Sequence, residues 1–340
     1  MSSSNQLETV AIDIGVSKIK IIVTNKNGEI TQTLITDNKN GFAVPNNSSQ
    51  IKSMSDSLKN IFNEHKIPKK NIYLAMPETF TSTQVIEIPT LTDTELATSI
   101  HWQAQQYIPI PKEELALNYQ VLFRPDKKDE AVTNMRVLLI GINQKNLDNV
   151  IAAYKEAGLE PTVLETNTIA TIRHHAPAQN SDSASLIVNF GASGIDIIVM
   201  KNNELNLAIS HQTGSNMITR ALMSTFNLPF EKAEEYKQAY GLNTNYFEGK
   251  IANAIAPIAQ TILNDIKHTI TFFNKKNNYE AINQLFICGG GSLMPGFPEL
   301  LAANLNLDIQ PLDVFKKLNG SLPEKDHLLF HVAAGLIKRN

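Results

Sequence analysis

Four residues in the stretch "IDIGVSKIK", 12–20, have types and spacing suited to anion chemistry: Asp13, Gly15, Ser17 and Lys20. An apolar strand ends on an acid, turns through Gly15-Val16-Ser17, and re-enters an apolar run that carries the lysine. A tight glycine turn lets several backbone N–H groups point at one anion. Asp13 at the strand end is placed to hold a hydrated Mg²⁺, and Lys20 to reach back to a phosphate oxygen. The pattern recurs: "VAIDIGVSKIKIIV" at 10–23 aligns without gaps on "LIVNFGASGIDIIV" at 186–199. Gly15 falls on Gly191, Ser17 on Ser193 and Ile19 on Ile195, while Asp13 falls on Asn189 and the second turn runs Gly191-Ala192-Ser193. Such duplication predicts an α/β chain of two similar lobes with a cleft between them, where the two turns would grip a polyphosphate from both sides.

A third glycine cluster lies in "LFICGGGSLMPGF", 285–297. A short apolar strand ends in Gly289-Gly290-Gly291-Ser292, which would let a flat ring or a sugar approach the backbone closely.

The elements that must position these residues are legible in outline. The chain has 340 residues, 42% of them hydrophobic, enough for a sizeable core in two domains or one domain of two lobes. A net charge of −3 offers no basic surface for nucleic acid, so phosphate-backbone binding is not expected. The lone cysteine, Cys288, excludes an internal disulfide and suits a reducing compartment. No stretch reaches the roughly 18 consecutive apolar residues of a spanning helix, and the start "MSSSNQLETV" does not read as a secretory signal. Strands are expected at "IYLAMP" (72–77), "TQVIEI", "LNYQVLF" and "RVLLIGI", and helices near 50–65 and over 93–107 and 145–157. The 93–107 helix should bury Leu96, Ile100, Ala104 and Tyr107, and Trp102 is expected to serve as packing. A long amphipathic helix should carry Ile251, Ile255, Ile258, Ile262, Ile266, Ile270 and Phe273 on one side, with Pro257 kinking or breaking it. The charged stretch 124–134 reads as a solvated hairpin tip, 177–184 as a crossing between lobes, and His174-His175 as a helix end. His327 and His331 have metal-compatible spacing but no apparent third ligand.

The two turns and the Gly-Gly-Gly-Ser turn together resemble the two phosphate loops and the adenosine loop of the actin-like ATPase superfamily. "EKAEEYKQAYG", 231–241, resembles the FtsA and MreB helix whose glutamate and lysine face the ribose and adenine, here Glu234 and Lys237. "LETNTIATIRH", 164–174, resembles the connecting helix that often carries a water-positioning acid, and Glu165 takes that position. Within the superfamily the stretches 88–122 and 135–170 and the closing "VAAGLIKR" resemble the PilM family of type IV pilus assembly.

This resemblance implies an actin-like (ribonuclease H-like) duplicated fold with an inserted strand-helix-strand-strand subdomain. The divisions would be a first lobe over 1–77, the insert over 78–158, and a return with the interlobe connection over 159–184. The second lobe would take 185–214 and 281–322, a helical subdomain 215–280, and a final helix in 323–340 would fold back on the first lobe. It implies ATP or ADP with Mg²⁺ between the lobes, and a PilN-like inner-membrane partner. The cytoplasmic N-terminal segment of that partner would dock between the first lobe and the insert. The chain is then expected in the cytoplasm, peripheral to the inner membrane and reaching it only through that partner, with self-association and further pilus components left open. Asn189 departs from the acid usual in the second phosphate turn, so nucleotide binding with slow or absent hydrolysis is expected. The competing readings are a small-molecule kinase of the same superfamily, a GspL-like scaffold of type II secretion, and an FtsA-like filament protein. The ending at Asn340, without an amphipathic tail, weighs against the last.

Overall fold

The computed structural model describes residues 8–125, 133–175, 184–277, 281–312, 314, 318 and 324–339. Most of the expected charged tip at 124–134 and of the lobe crossing at 177–184 therefore lies outside the described residues. The chain opens with β1 (Thr9–Ile14), β2 (Lys18–Thr24), β3 (Ile30–Asp37), α1 (Ser48–Glu64) and β4 (Ile72–Met76). A short 3-10 turn, Glu78–Phe80, leads into β5 (Thr81–Pro89), α2 (Asp93–Ala104), β6 (Leu115–Phe123), β7 (Asn134–Asn143) and α3 (Gln144–Glu156). β8 (Pro161–Thr166) and α4 (Asn167–Ile172) follow. The second half runs β9 (Ala184–Phe190), β10 (Ile195–Lys201), β11 (Glu204–His211), α5 (Ser215–Phe226), α6 (Phe230–Tyr240) and α7 (Lys250–Lys276). It closes with β12 (Ile282–Cys288), α8 (Phe297–Leu305), β13 (Asp308–Pro311), a 3-10 turn Glu324–Leu329 and α9 (His331–Ile337).

Two five-stranded sheets carry the duplication. Their orders are β3-β2-β1-β4-β8 and β11-β10-β9-β12-β13, so each strand of one has a counterpart in the other. In both, the first three strands form an antiparallel meander and the last two add in parallel. Buried on both faces, β1 is apolar throughout except at Thr9 and Asp13. Val10, Ile12 and Ile14 face the core under α1 and α3, while Ala11 faces the cluster built with α9. Asp13 shares the parity of Ala11, which turns its carboxylate toward the start of α9. In β9 and β10, Leu186, Val188, Phe190, Ile195, Ile197 and Val199 pack under α5, α7 and α8, leaving Asn189 and Asp196 on the opposite face.

The inserted sheet, order β5-β7-β6, is antiparallel and two-sided. Met135, Val137 and Leu139 of β7 pack against Leu96, Ile100 and Ala104 of α2. Leu138 and Ile140, of opposite parity, pack against Ile187, Ile198 and Met200 of the second lobe. α2 begins at a capping box formed by Thr92 and Glu95. It stops at Ala104, so Tyr107 lies beyond its end and is exposed, not buried as its spacing suggested. Trp102 also departs from expectation: it sits on the outer face of α2 and is 68% exposed. α7 buries Ile251, Ile255, Ile262, Ile266 and Phe273, with Ile258 and Ile270 at the margin, and runs through Pro257 without a break.

Candidate functional site

Both hairpin turns close by the same bond. Gly15 N–H donates to Lys18 O and Gly191 N–H donates to Gly194 O, each at 2.9 Å. Asn38, which the sequence did not single out, clamps the first turn: its amide donates to Gly15 O at 2.8 Å and its backbone N–H to Ser17 O at 2.9 Å. Among the described residues none accepts a hydrogen bond from the backbone amides of Val16, Ser17, Ala192 or Ser193. Successive free amides of this kind form an anion-binding nest.

The turns face a common cavity of about 470 Å³. Asp13, Gly15, Val16, Ser17 and Lys20 line it from the first lobe, and Asn189, Gly191, Ala192 and Ser193 from the second. Ser17 Oγ reaches Asn216 Oδ1 of α5 at 3.5 Å, a direct link between the lobes. Asp13 is 4% exposed and its carboxylate accepts from Lys20 Nζ at 2.8 Å, the register partner on β2. The second hairpin has the same cross-strand geometry with other residues. Asn189 Nδ2 donates to Asp196 at 2.9 Å, and Ser210 Oγ donates to the other oxygen of Asp196 at 2.8 Å.

On the helical side, Lys237 is buried and its Nζ lies 2.6 Å from Glu234 Oε2 and 3.0 Å from Thr219 Oγ1. Burial pushes the Glu234 carboxyl up, but Lys237 and the hydroxyl of Thr219 outweigh it and hold the group below its ordinary value. Burial lowers the Lys237 ammonium, with Glu234 opposing. Both side chains line the cavity.

The glycine cluster divides. Gly289 and Gly290 line the cavity, whereas Gly291 and Ser292 do not, and Leu293 and Met294 take their place. Gly289 adopts φ +84°, and a Cβ there would meet Phe190 O at 2.5 Å. Gly291 lies against the Phe190 ring, where a Cβ would stand 2.5 Å from ring carbons, so its small size serves packing. Ser292 Oγ turns back to Gly289 O at 2.6 Å.

Glu165 is not in the cavity, which corrects its expected role. Both of its oxygens are taken by Arg173, at 2.5 and 2.7 Å, and one also by Arg339. The residue that its chain segment sends to the cavity is Asn167, an amide whose Oδ1 is buried with no hydrogen-bond partner among the described residues.

Further residues that sequence reasoning did not place at the site also line the cavity, among them Glu78, Asp196, Asp326 and His331. Asp196 had a signal, because it falls seven residues after Asn189 as Lys20 does after Asp13. Glu78 had none, since only folding brings the 3-10 turn after β4 against the second hairpin, where Thr79 touches Gly194. Burial raises the Glu78 carboxyl, and the nearby Thr83, Thr168 and Thr81 offset part of that rise. Burial, then Glu78, pushes Asp196 up to about 7. His331 is held down to about 4 by burial, and its Nδ1 contacts Leu328 O at 2.9 Å. The other residues singled out from the sequence behave simply: Cys288 is fully buried, and His174 and His175 follow the last turn of α4.

Two lobes of one topology, each presenting a glycine hairpin to a shared cleft, define an actin-like protein. Solved structures bear out this fold. A chain of a structure described as the PilM–PilN type IV pilus biogenesis complex superposes with a TM-score of 0.84 at 21% identity over 98% of both chains. The ethanolamine utilization protein EutJ from Carboxydothermus hydrogenoformans gives 0.57 at 14% identity, covering 99% of this chain and 91% of its own. MreB5 of Spiroplasma citri, solved bound to AMPPNP, gives 0.56 at 12% identity, covering 98% and 95%. The sequence profile of the type IV pilus assembly protein PilM matches residues 11–338, and the chain belongs to that family.

Proposed function

We propose that the protein is an ATP-binding adaptor of type IV pilus assembly. The observation that carries this reading is the convergence of both hairpin turns on one cleft that also holds Glu234, Lys237, Gly289 and Gly290. The residues present fit a nucleotide. The nests at 15–17 and 191–193 suit phosphates, and Gly289, Gly290 and the Glu234–Lys237 pair line the same cavity, where the nucleoside would sit. Asp13 is placed to hold Mg²⁺ through water, and the ion would supply charge neutralisation of the phosphate chain.

In this reading hydrolysis is slow or absent. Glu165 is bound by two arginines, and amides stand at Asn167 and Asn189. What remains is a ligand that biases lobe closure, a population shift. The family and the likeness to a PilM–PilN structure support a PilN-like partner, whose cytoplasmic N-terminal segment would dock between the first lobe and the insert. Among the described residues no helix is long and apolar enough to cross a membrane, so in this reading the partner supplies the inner-membrane attachment. The domain divisions expected from the sequence belong to the same proposal. Calorimetry with Mg-ATP and Mg-ADP, followed by pull-down with the partner's N-terminal peptide with and without nucleotide, tests it. Heat of binding and peptide capture are expected; absence of both removes the reading, and brisk ATP turnover removes its claim of slow hydrolysis.

A further inference from the structure

The cleft is short of uncommitted positive charge. Its described lysines each have a carboxylate: Lys18 with Asp37 at 2.6 Å, Lys20 with Asp13 at 2.8 Å and Lys237 with Glu234 at 2.6 Å. Two buried carboxylates, by contrast, face the cavity from opposite lobes with no cation among the described contacts. Glu78, 5% exposed, comes from the first lobe, where the neutral hydroxyls of Thr83, Thr168 and Thr81 stand near its carboxyl. Asp196, 8% exposed, comes from the second and is held by the neutral donors Asn189 and Ser210. Asn189 Oδ1, beside it, is also buried, with no hydrogen-bond partner among the described residues.

The other ionisable groups around the pair do not relieve this. Asp13 and Lys20 neutralise each other on the first hairpin. His331, at the start of α9, is kept neutral by burial. Cys288, on β12 with Asn189 of β9 between it and Asp196, is kept as a thiol by burial and by the charge of Asp196. Asp326 adds a further acid to the lining. A phosphate chain entering this cleft therefore meets excess negative charge.

We propose that Glu78 and Asp196 form a proton-sharing acid pair that determines which phosphate chain the cleft accepts, taking up a proton as the nucleotide binds. The inference rests on the nucleotide reading above. Two like charges in one low-dielectric site ionise together only at high cost, so one proton stays with the pair. A bound polyphosphate adds negative charge and tightens the hold on that proton. Linkage then makes nucleotide affinity fall as pH rises, by at most about tenfold per pH unit for one proton. The fall is steeper for a triphosphate than for a diphosphate, because the longer chain carries more charge. The raised Asp196 carboxyl puts this titration near neutrality, where it is measurable.

The test is calorimetry of Mg-ATP and Mg-ADP on the full chain, in buffers of different ionisation enthalpy, from about pH 6.5 to 8.5, a window that brackets the Asp196 titration. Wild-type protein is expected to take up a fraction of a proton per nucleotide, more with ATP. Glu78→Gln and Asp196→Asn are each expected to abolish the uptake, flatten the pH dependence and bind ATP more tightly on the alkaline side. Titration of the nucleotide's own phosphates cancels between wild type and variants. Wild-type binding with heats independent of buffer overturns the proposal, whether or not the variants fold. Uptake that persists in both variants overturns it as well. No binding of either nucleotide by the wild type removes the nucleotide reading itself, which separates the two failures.

Discussion

Lys237 shows how much one buried charge can depend on its partner. Its ammonium is enclosed by Glu234, Thr219 and Ser215. Lys237→Met keeps the apolar stem but leaves Glu234 without its cation. We expect a loss of about 2–3 kcal/mol in urea unfolding, below the full range for a wholly buried pair because Glu234 retains some exposure. Glu234→Gln should cost less, since its amide oxygen still accepts from Lys237. Other single residues set the pH response. Asp196 has its carboxyl raised from 3.8 to about 7, so its contribution to stability is full below about pH 4 and is lost as pH climbs toward 7. His174, lowered to about 3, and His331, lowered to about 4, act oppositely: their contribution is full above 6.5 and is lost as pH falls below it. Thermal unfolding across about pH 4–8 should therefore show Asp196→Asn gaining relative to wild type on the alkaline side. His331→Gln should lose less than wild type on the acid side. Parallel curves for all three proteins would contradict these assignments.

Among the elements, α2 departs most clearly from its sequence pattern. Its inner face packs on β5 and β7, while Trp102 stands on the outer face. Trp102 is the chain's only tryptophan, so native fluorescence reports on this one site. We expect emission of a water-exposed indole, quenched readily by acrylamide, and a Trp102→Ala change in stability within about 0.5 kcal/mol. Blue-shifted, protected emission would place the ring in a core instead. The periodicity of α2 made Leu96, Ile100 and Ala104 legible as its buried stripe. A helical repeat cannot tell whether a neighbouring aromatic finds a partner on the other side, and Tyr107 was lost because the helix stops a turn sooner.

Across the whole molecule, the insert is tied to the second lobe as well as the first. Leu138 of β7 is 4% exposed and packs with Ile187, Ile198 and Met200, and Arg136 pairs with Glu204 of β11. Leu138→Ala should destabilise by about 2–4 kcal/mol. Because its cavity opens between units, the variant should also lose cooperativity, with fluorescence of Trp102 and far-ultraviolet dichroism no longer following one transition. The end of the chain is fastened to the segment after β8 in the same long-range way: His174 Nε2 contacts His331 O at 2.7 Å and Lys338 Nζ contacts His174 Nδ1 at 2.9 Å.

Local pattern was enough for the duplication, the strand-turn-strand hairpins and the order of most elements. Alternation and turn chemistry act over a few residues, and 10–23 and 186–199 carry both in the same register. The same local information placed Asp13, Lys20 and the two glycine turns at one cleft. Only the tertiary structure decided where the remaining acids stand. Glu165 looked available and is bound by Arg173 and Arg339, one of them from the far end of the chain. Glu78 carried no signal of its own and is buried, lining the same cavity as Asp196 of the other lobe. Whether a carboxylate is taken by an arginine or left facing a cavity depends on contacts between residues distant in the chain, and no short-range pattern encodes them.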